Sequence, residues 1–260
     1  MPPGKKRLPS PQQQNTTAEL NDSRRGTKEI WHLWSHGDIL KTVHRIEPLL
    51  ASWNSKTDPA QIRLQRYLDD LQSAVGTLPS EQPLFLHMQI DVKQPERLLR
   101  HYDLENYLTP VVSRFGARHF TFVSATKSVG RGSYLTVGQA TLLGQYPVLK
   151  GWSNSACHAG SGATKKEWKE GIRNTLSSTN PQQLPSGPVA VHLAWRCARQ
   201  RNWAMFWKPT GDAMGPVLGE PSSQHPFNPS DDRIVSLGLH LNPDDGMGYD
   251  VDVGMWWRSA

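Results

Sequence analysis

The same order of short motifs occurs twice in this chain, once between residues 83 and 138 and again between residues 188 and 254. Each copy opens with a proline and a run of apolar residues, and Thr109-Pro110 of the first aligns with Lys208-Pro209 of the second. Both copies are typical of a strand, a polar loop, an amphipathic helix and two further strands. A repeat of this size predicts an α/β (α+β) protein of two similar mixed-sheet units, packed as a pseudo-dimer.

The alignment of the two copies covers most of their predicted elements. It places these segments opposite each other: 83–88 and 188–193, 109–110 and 208–209, 115–116 and 214–215, 120–123 and 233–236, and 136–138 and 252–254. The alternative is a chance similarity between two ordinary strand–helix–strand units. If the repeat is real, the polar residues between the repeated apolar ones carry the chemistry.

Composition divides the chain into five segments. We predict a disordered basic tail, a helical extension, a first unit, a linker or crossover, and a second unit, over residues 1–28, 29–80, 81–150, 151–186 and 187–260 respectively. In the extension, apolar residues at helical spacing predict helices across residues 30–50. Asp58-Pro59 predicts the start of another helix, which ends at Gly76. A short basic helix is expected at 164–176 in the crossover.

Charge and cysteine content narrow the class of protein. The net charge is +6 and the pI is about 9.4. Residues 1–30 carry +3 of that charge, so the charge of the remaining chain permits nucleic acid as a partner without demanding it. Cys157 and Cys197 fit neither a disulfide framework nor a zinc spacing. No apolar run approaches the length of a membrane span, and no signal peptide is evident, so we expect a cytoplasmic protein with no membrane contact.

The sharpest short motif is Asp103-x-Glu105-Asn106, which follows His101 and directly precedes a predicted helix. Two carboxylates two residues apart can converge on a divalent cation at the positive end of that helix. Asn106 can orient them or cap the helix. The alternative is an ordinary N-cap with acidic residues in the first turn.

The second copy carries a different set of polar residues. Lys208 and Asp212 are four residues apart and share one face of the predicted helix, and Asp231-Asp232 stands at the start of the following strand. These residues can approach one another across the strand. The alternative is an i,i+4 ion pair together with a turn built from Pro-Ser-Asp-Asp.

Together these motifs resemble the RusA family of Holliday junction resolvases. That family shows a strand, an Asp-x-Asp-Asn motif opening a helix, a Lys three residues later, an Asp four residues after the Lys, and an acidic pair at the next strand. The resemblance covers about two-thirds of the chain and omits residues 1–80. It implies a homodimer-like fold, magnesium bound by the acidic residues, and hydrolysis of phosphodiesters in branched DNA.

Each repeat matches a different part of the family pattern. The residues that match are Asp103, Glu105 and Asn106 in the first repeat, and Lys208, Asp212, Asp231 and Asp232 in the second. The residues that depart are Thr109, Ser113, Arg118 and His119 in the first repeat, and Asn202 and Ala204 in the second. Neither repeat alone holds the several carboxylates that metal-assisted hydrolysis needs.

Three outcomes stay open at this point. Asp103 and Glu105 of one unit can meet Asp231, Asp232 and Lys208 of the other in a composite site. The first unit can instead recruit other ligands, for which Asp91, His101 and His119 are the nearest candidates in sequence. Both units can also have lost catalysis and kept a surface shaped for DNA.

The resemblance implies a Mg2+-dependent (or Mn2+-dependent) endonuclease that acts on branched or structured DNA in repair or recombination. Asp103, Glu105, Asp231 and Asp232 are the expected metal ligands, with Asp103, Glu105 and Lys208 in catalysis. The expected contacts to the DNA backbone are Lys127, Arg131, Arg199, Arg201 and Lys208.

Two other functions compete with this one. The first is a catalytically degenerate nucleic-acid-binding protein or scaffold subunit in a repair, phage or defence complex. The second is a subunit that binds another protein through the N-terminal helices or the Trp-rich second unit. The chain is expected to be a monomeric pseudo-dimer or a homodimer.

Overall fold

The computed structural model describes residues 31–260 except 52–53, 101, 146–148, 161–163, 180 and 222–223, so the predicted tail at 1–28 and His101 lie outside the described residues. The strands are β1 (His32–His44), β2 (Leu84–Asp91), β3 (Phe120–Ser128), β4 (Tyr134–Gln145), β5 (Ser153–His158), β6 (Val189–Cys197), β7 (Ile234–Pro243) and β8 (Val251–Ser259). The helices are α1 (Pro59–Val75), α2 (Leu104–Phe115), α3 (Lys165–Ser178), α4 (Trp207–Asp212) and α5 (Gly215–Leu218). In this part of the chain, no helix is long and apolar enough to cross a membrane.

These strands form one mixed sheet of eight strands in the order β1-β4-β2-β3-β7-β6-β8-β5. On one side, β2 is parallel to β3 and antiparallel to β4, and β1 pairs with the outer edge of β4. On the other side, β6 is parallel to β7 and antiparallel to β8, and β5 pairs with the outer edge of β8. The two halves meet at the seam, which is the antiparallel pair β3–β7. The sheet therefore has the same strand pairing on both sides of the seam.

The repeated connectivity is longer than the sequence analysis predicted. In chain order, the first half reads β1-α1-β2-α2-β3-β4 and the second reads β5-α3-β6-α4-α5-β7-β8. Each half thus begins with an outer strand and a helix that the motif alignment did not include. The segment predicted as a linker or crossover (151–186) supplies β5 and α3, and so belongs to the second half.

A strand replaces the helices predicted across residues 30–50. β1 pairs antiparallel with β4, and Val43 lies opposite Leu135. The apolar spacing in this segment fits a helix, but the edge of β4 offers backbone hydrogen bonds that decide the conformation. The prediction of helices here was wrong, whereas the helix start at Asp58-Pro59 and the end at Gly76 are confirmed by α1.

The strand pairing also corrects the alignment of the two copies. Leu84 of β2 pairs with Phe120, while the equivalent Val189 of β6 pairs with Ile234, so the alignment of 120–123 with 233–236 is wrong by one residue. His87 and His192, which the sequence analysis aligned, do occupy equivalent positions.

The last strand differs more. His87 lies opposite Thr136 of β4, and His192 lies opposite Trp256 of β8. Thr136 therefore corresponds to Trp256 rather than to Asp252, and the alignment of 136–138 with 252–254 was wrong by four residues. The shared Val-Gly dipeptide that suggested it falls at different points along the two strands.

The main core lies between one face of the sheet and the helices. Leu84, Leu86 and Met88 of β2 point to this face together with α1 and α2, as Val189 and Val191 of β6 do with α3. The core runs without a break through both halves. Burial of this continuous apolar face is the main contribution to the stability of the sheet.

The opposite face carries a smaller cluster under the start of β1. Trp31 and Leu33 pack there against Ala194 and Trp256. In the second half, the tryptophans Trp195, Trp203, Trp207, Trp256 and Trp257 are all buried. Their role is core packing, which argues against the predicted use of this Trp-rich unit as a protein-binding surface.

Candidate metal centre

The candidate site lies beside one end of the seam. Because β3 and β7 are antiparallel, with Thr126 opposite Ser236, the end of β3 adjoins the start of β7. The 3-10 turn Asp231–Arg233 immediately precedes β7, and α2 begins at Leu104 and packs on both β3 and β7. Residues from both halves of the chain therefore converge at this end.

Three carboxylates meet here. Asp103 and Glu105 from the first half and Asp231 from the second each offer a ligand atom, and these atoms all lie within 4.8 Å of one another. Oxygen ligands at this spacing suit a hard divalent cation such as Mg2+ or Mn2+. The structure thus brings Asp231 of the second repeat to Asp103 and Glu105 of the first, although Asp103 and Asp231 are 128 positions apart in sequence.

Asp103 occupies the N-cap position of α2, yet its side chain makes no capping hydrogen bond. Its Oδ2 instead accepts a hydrogen bond of 3.0 Å from Nδ2 of Asn106. An N-cap aspartate ordinarily satisfies a free backbone N–H of the first turn. Here Asn106 orients the carboxylate towards the cluster, which favours the site over the ordinary N-cap interpretation.

Burial and mutual repulsion perturb two members of the cluster. Glu105 is only 8% exposed, and burial raises its pKa, with Asp103 adding to the shift and Lys208 opposing it. Burial, together with the charges of Glu105 and Asp103, raises the pKa of Asp231 to about 8. Like-charged carboxylates this close need protons or a cation to coexist.

Lys208 supplies positive charge to the cluster from α4. Its Nζ lies 3.3 Å from Oε1 of Glu105, 3.0 Å from Oδ1 of Asp212 and 4.0 Å from Oδ2 of Asp231. Burial alone would lower its pKa, but these carboxylates outweigh that effect and raise it. The side chain remains 48% exposed, so the ammonium can also face a bound anion.

A second lysine at the site was missed by sequence reasoning. Lys169 of α3 forms an ion pair with Oδ2 of Asp212, on the other side from Lys208. Asp212 is buried between the two ammonium groups. No motif marks Lys169, because it lies in the segment that was predicted to be a linker, and only the packing of α3 against α4 brings it here.

Lys127 is used inside the protein. It is only 3% exposed, and its Nζ donates hydrogen bonds to the backbone oxygens of Tyr102 and Asp232. Burial lowers its pKa to about 8, although the surrounding carboxylates oppose this. It ties the loop before α2 to the turn before β7, which argues against the predicted contact with a DNA backbone.

The other predicted residues are distributed as follows. Asp232 is not among the residues whose ligand atoms converge, and its backbone oxygen holds Lys127. Asp91, an alternative ligand, accepts from Lys93 and from the backbone of Gly130 instead.

The predicted arginines lie on the surface at two places. Arg131 is exposed in the turn between β3 and β4, at the same end of the sheet as the carboxylates. Arg199 and Arg201 follow β6 and line a separate cleft. These two therefore do not belong to the carboxylate cluster.

Comparison with known proteins adds no assignment. No protein-family model matches the chain, and no curated protein matches it.

Proposed function

We propose that this protein is a Mg2+-dependent or Mn2+-dependent endonuclease that acts on branched or structured DNA. The observation that carries the proposal is the convergence of Asp103, Glu105 and Asp231 from opposite halves, beside the ammonium of Lys208. Each half alone lacks the set, and the two together supply three oxygen ligands and a cation. Metal-assisted phosphodiester hydrolysis uses this combination of acidic ligands and positive charge.

The donor set fits the proposed metal. Asp103, Glu105 and Asp231 would hold it, since all three offer hard oxygen ligands and two have a raised pKa caused by burial and crowding. When bound, a divalent cation activates water and polarises a phosphoryl oxygen. Its charge would also relieve the repulsion among the carboxylates.

Other side chains orient the ligands and neutralise charge. Asn106 holds the Asp103 carboxylate in place through the 3.0 Å hydrogen bond. Lys208, which is half-exposed at the rim of the cluster, neutralises charge on a phosphate that approaches it. Lys169 and Asp212 fix the position of Lys208 from behind.

We further infer that the two halves derive from one RusA-like module that was duplicated and fused. The matching strand pairing on both sides of the seam supports this origin. Fusion fixes the geometry of a dimer within one chain and lets the two surfaces diverge. The complementary retention of acidic residues follows from that divergence.

Cleavage of a labelled four-way junction tests the enzyme. Wild type is expected to cut it only with Mg2+ or Mn2+, and Asp103→Asn and Asp231→Asn should each lower the rate by about 100-fold or more, because several kcal/mol of charge stabilisation are lost. Asp70→Asn is the matched control, because it is the same substitution at an exposed aspartate on α1. Cutting that survives both site substitutions would rule out this centre.

A non-catalytic nucleic-acid-binding protein is the second candidate. The ammonium of Lys208 already contacts Glu105 and Asp212, as it would in a purely structural ion-pair network. In that case the junction is bound tightly and salt-sensitively, without cutting in either metal, and Asp103→Asn leaves the affinity unchanged.

A further inference from the structure

A cleft of about 320 Å3 lies at the opposite end of the seam from the carboxylates. Its lining includes Ser113, Ala117, Arg118, Arg201 and Asn202. Since β3 and β7 are antiparallel, the start of β3, which Ala117–His119 precedes, adjoins the end of β7. The cleft is therefore the counterpart of the candidate metal centre across the seam.

The equivalence holds residue by residue. The 3-10 turns Ala117–His119 and Asp231–Arg233 each end directly before their central strand, which pairs Ala117 with Asp231 and Arg118 with Asp232. The gap-free alignment from Asp103 to Gly116 then places Asn202 at Asp103, Ala204 at Glu105 and Ser113 at Asp212. The counterpart of every acidic position of the metal centre is thus a neutral or basic residue.

Three guanidinium groups give the cleft a positive charge. Arg118 is exposed, and no hydrogen bond or ion pair engages its side chain among the described residues. Arg199 pairs with Asp245 at 3.4 Å. Arg201 donates to the backbone oxygen of Tyr249 at 2.7 Å and is held in place by that contact.

An exposed aromatic ring adjoins these arginines. The Tyr249 ring is 77% exposed, and the guanidinium carbon of Arg201 lies 5.7 Å from its centroid. Phe206 flanks the same guanidinium at 5.3 Å. A pre-positioned arginine beside an accessible ring suits a phosphate that carries a base, because the ring can stack on that base.

We propose that this cleft binds the backbone phosphates of a second nucleic-acid strand, which is held but not cut. The inference rests on the proposed function of the metal centre, because it assigns to the cleft the other strand of the same structured substrate. Loss of the carboxylates removes both cation binding and repulsion of phosphate, and the arginines add attraction. The chain would thereby combine one site that cleaves a strand with one site that only binds a strand.

Binding measured without metal isolates the cleft from catalysis. Fluorescence anisotropy with a labelled four-way junction in EDTA compares wild type, Arg118→Gln, Tyr249→Ala and the control Arg66→Gln, which removes an exposed arginine on α1. Arg118→Gln should weaken binding about five- to tenfold and reduce the salt slope by about one, as expected for one lost phosphate contact. Tyr249→Ala should also weaken binding, and Arg66→Gln should not.

Cleavage separates failure of this inference from failure of the proposed enzyme. With metal, Arg118→Gln is expected to raise KM and leave the rate at saturating DNA unchanged, whereas Asp103→Asn abolishes cutting and keeps the affinity. If wild type binds the junction but never cuts it, and Arg118→Gln still weakens binding, the inference about the cleft is supported and the proposed nuclease function is wrong. Unchanged DNA affinity in Arg118→Gln overturns the inference. The inference is also overturned if inorganic phosphate stabilises wild type but not Arg118→Gln while both proteins bind DNA with equal affinity. In that case the ligand of the cleft is a free anion.

Discussion

At the scale of single residues, the position of Asp103 is the most informative. An aspartate at a helix N-cap normally stabilises the helix by about 1 kcal/mol through its capping hydrogen bond. Asp103 forgoes that bond and faces two other carboxylates. A residue that gives up local stability for an electrostatically unfavourable location is typical of a functional site.

A metal held by these carboxylates would compete with Lys208 for them, and this leads to a prediction. Lys208→Met should tighten Mn2+ binding about threefold to tenfold, because it removes the ammonium that lies 3.3 Å from Oε1 of Glu105 and 4.0 Å from Oδ2 of Asp231. The same substitution should slow cleavage, since the phosphate loses its neutralising ammonium. Isothermal titration calorimetry and the junction assay measure the two effects.

Lys166→Met is the control for that experiment, because Lys166 pairs with Glu170 on an exposed part of α3. A tighter metal site with unchanged cleavage would show that Lys208 only balances charge. Unchanged Mn2+ affinity would contradict its placement at the metal centre.

Four histidines lie on the sheet face opposite the main core. His36 and His87 both hydrogen-bond Oγ of Ser124 at 2.9 Å. The backbone N–H of Trp34 donates to Nδ1 of His240, so neutral His240 carries its proton on Nε2 and donates it to Nδ1 of His192 at 2.7 Å. The contacts of His192 and His240 are satisfied only while these two rings are neutral, because Nδ1 of each must accept a hydrogen bond.

Acid should therefore destabilise the fold. Burial lowers the pKa of His87 to about 4, helped by His36, and the pKa of His192 to about 4, helped by Arg258 and His36. Below the ordinary pKa of about 6.5, these histidines bind protons in the unfolded chain but not in the folded one. Their contribution to the free energy of unfolding is therefore fully present above that pH and is lost as the pH falls towards 4. Each histidine contributes up to about 3 kcal/mol to this loss.

Urea unfolding at several pH values measures the effect. His192→Asn keeps an acceptor for His240 but does not titrate, so its free energy of unfolding should fall less between pH 7 and pH 4 than that of wild type. His225→Asn, at an exposed histidine, should follow wild type. Identical pH dependence in all three proteins would contradict the role assigned to the histidine network.

At the scale of elements, two glycines in regular structure have opposite roles. A methyl group at Gly171 within α3 would meet no atom within 4 Å, whereas one at Gly238 in β7 would overlap the ring of His192. Gly171→Ala should raise the free energy of unfolding by about 0.5–1 kcal/mol through helix propensity. Gly238→Ala should lower it by about 1–3 kcal/mol through overpacking.

Thermal and urea denaturation of both variants check this prediction. Because the two substitutions are chemically identical, each serves as the control for the other. Destabilisation by Gly171→Ala would mean that α3 packs differently against the other elements of the second half.

The helices were more predictable than the outer strand. α1 follows from Asp58-Pro59, its apolar stripe and Gly76, which are local signals. α3 likewise follows from Thr164 and Glu167, which form a capping box. β1 did not follow from its sequence, because its conformation depends on pairing with β4, about 100 positions further along the chain.

At the scale of the whole molecule, the seam explains why the site needs both halves. Sequence motifs identified Asp103, Glu105, Lys208 and Asp231 individually. They could not decide whether these residues meet, because the answer depends on which strands form the centre of the sheet. The antiparallel pairing of β3 with β7 places the start of α2 beside the turn before β7.

The repeat itself was visible in sequence, but its extent was not. The similar segments 83–88 and 188–193 marked β2 and β6, while β1 with α1 and β5 with α3 correspond only in their places in the sheet. Packing constrains the place of such outer elements in the sheet more than it constrains the identity of their side chains. The residue-level offsets along β7 and β8 were accordingly accessible only from strand pairing.

The central claim is that residues from the two halves form one cation site. Mn2+ binding measured by electron paramagnetic resonance on wild type, Asp103→Asn, Asp231→Asn and the exposed control Asp70→Asn tests it most directly. We predict one strong Mn2+ site per chain in wild type and in Asp70→Asn, and loss of at least about 1.4 kcal/mol, a tenfold change in affinity, in each of the other two. Strong binding that survives either Asp103→Asn or Asp231→Asn would contradict the claim.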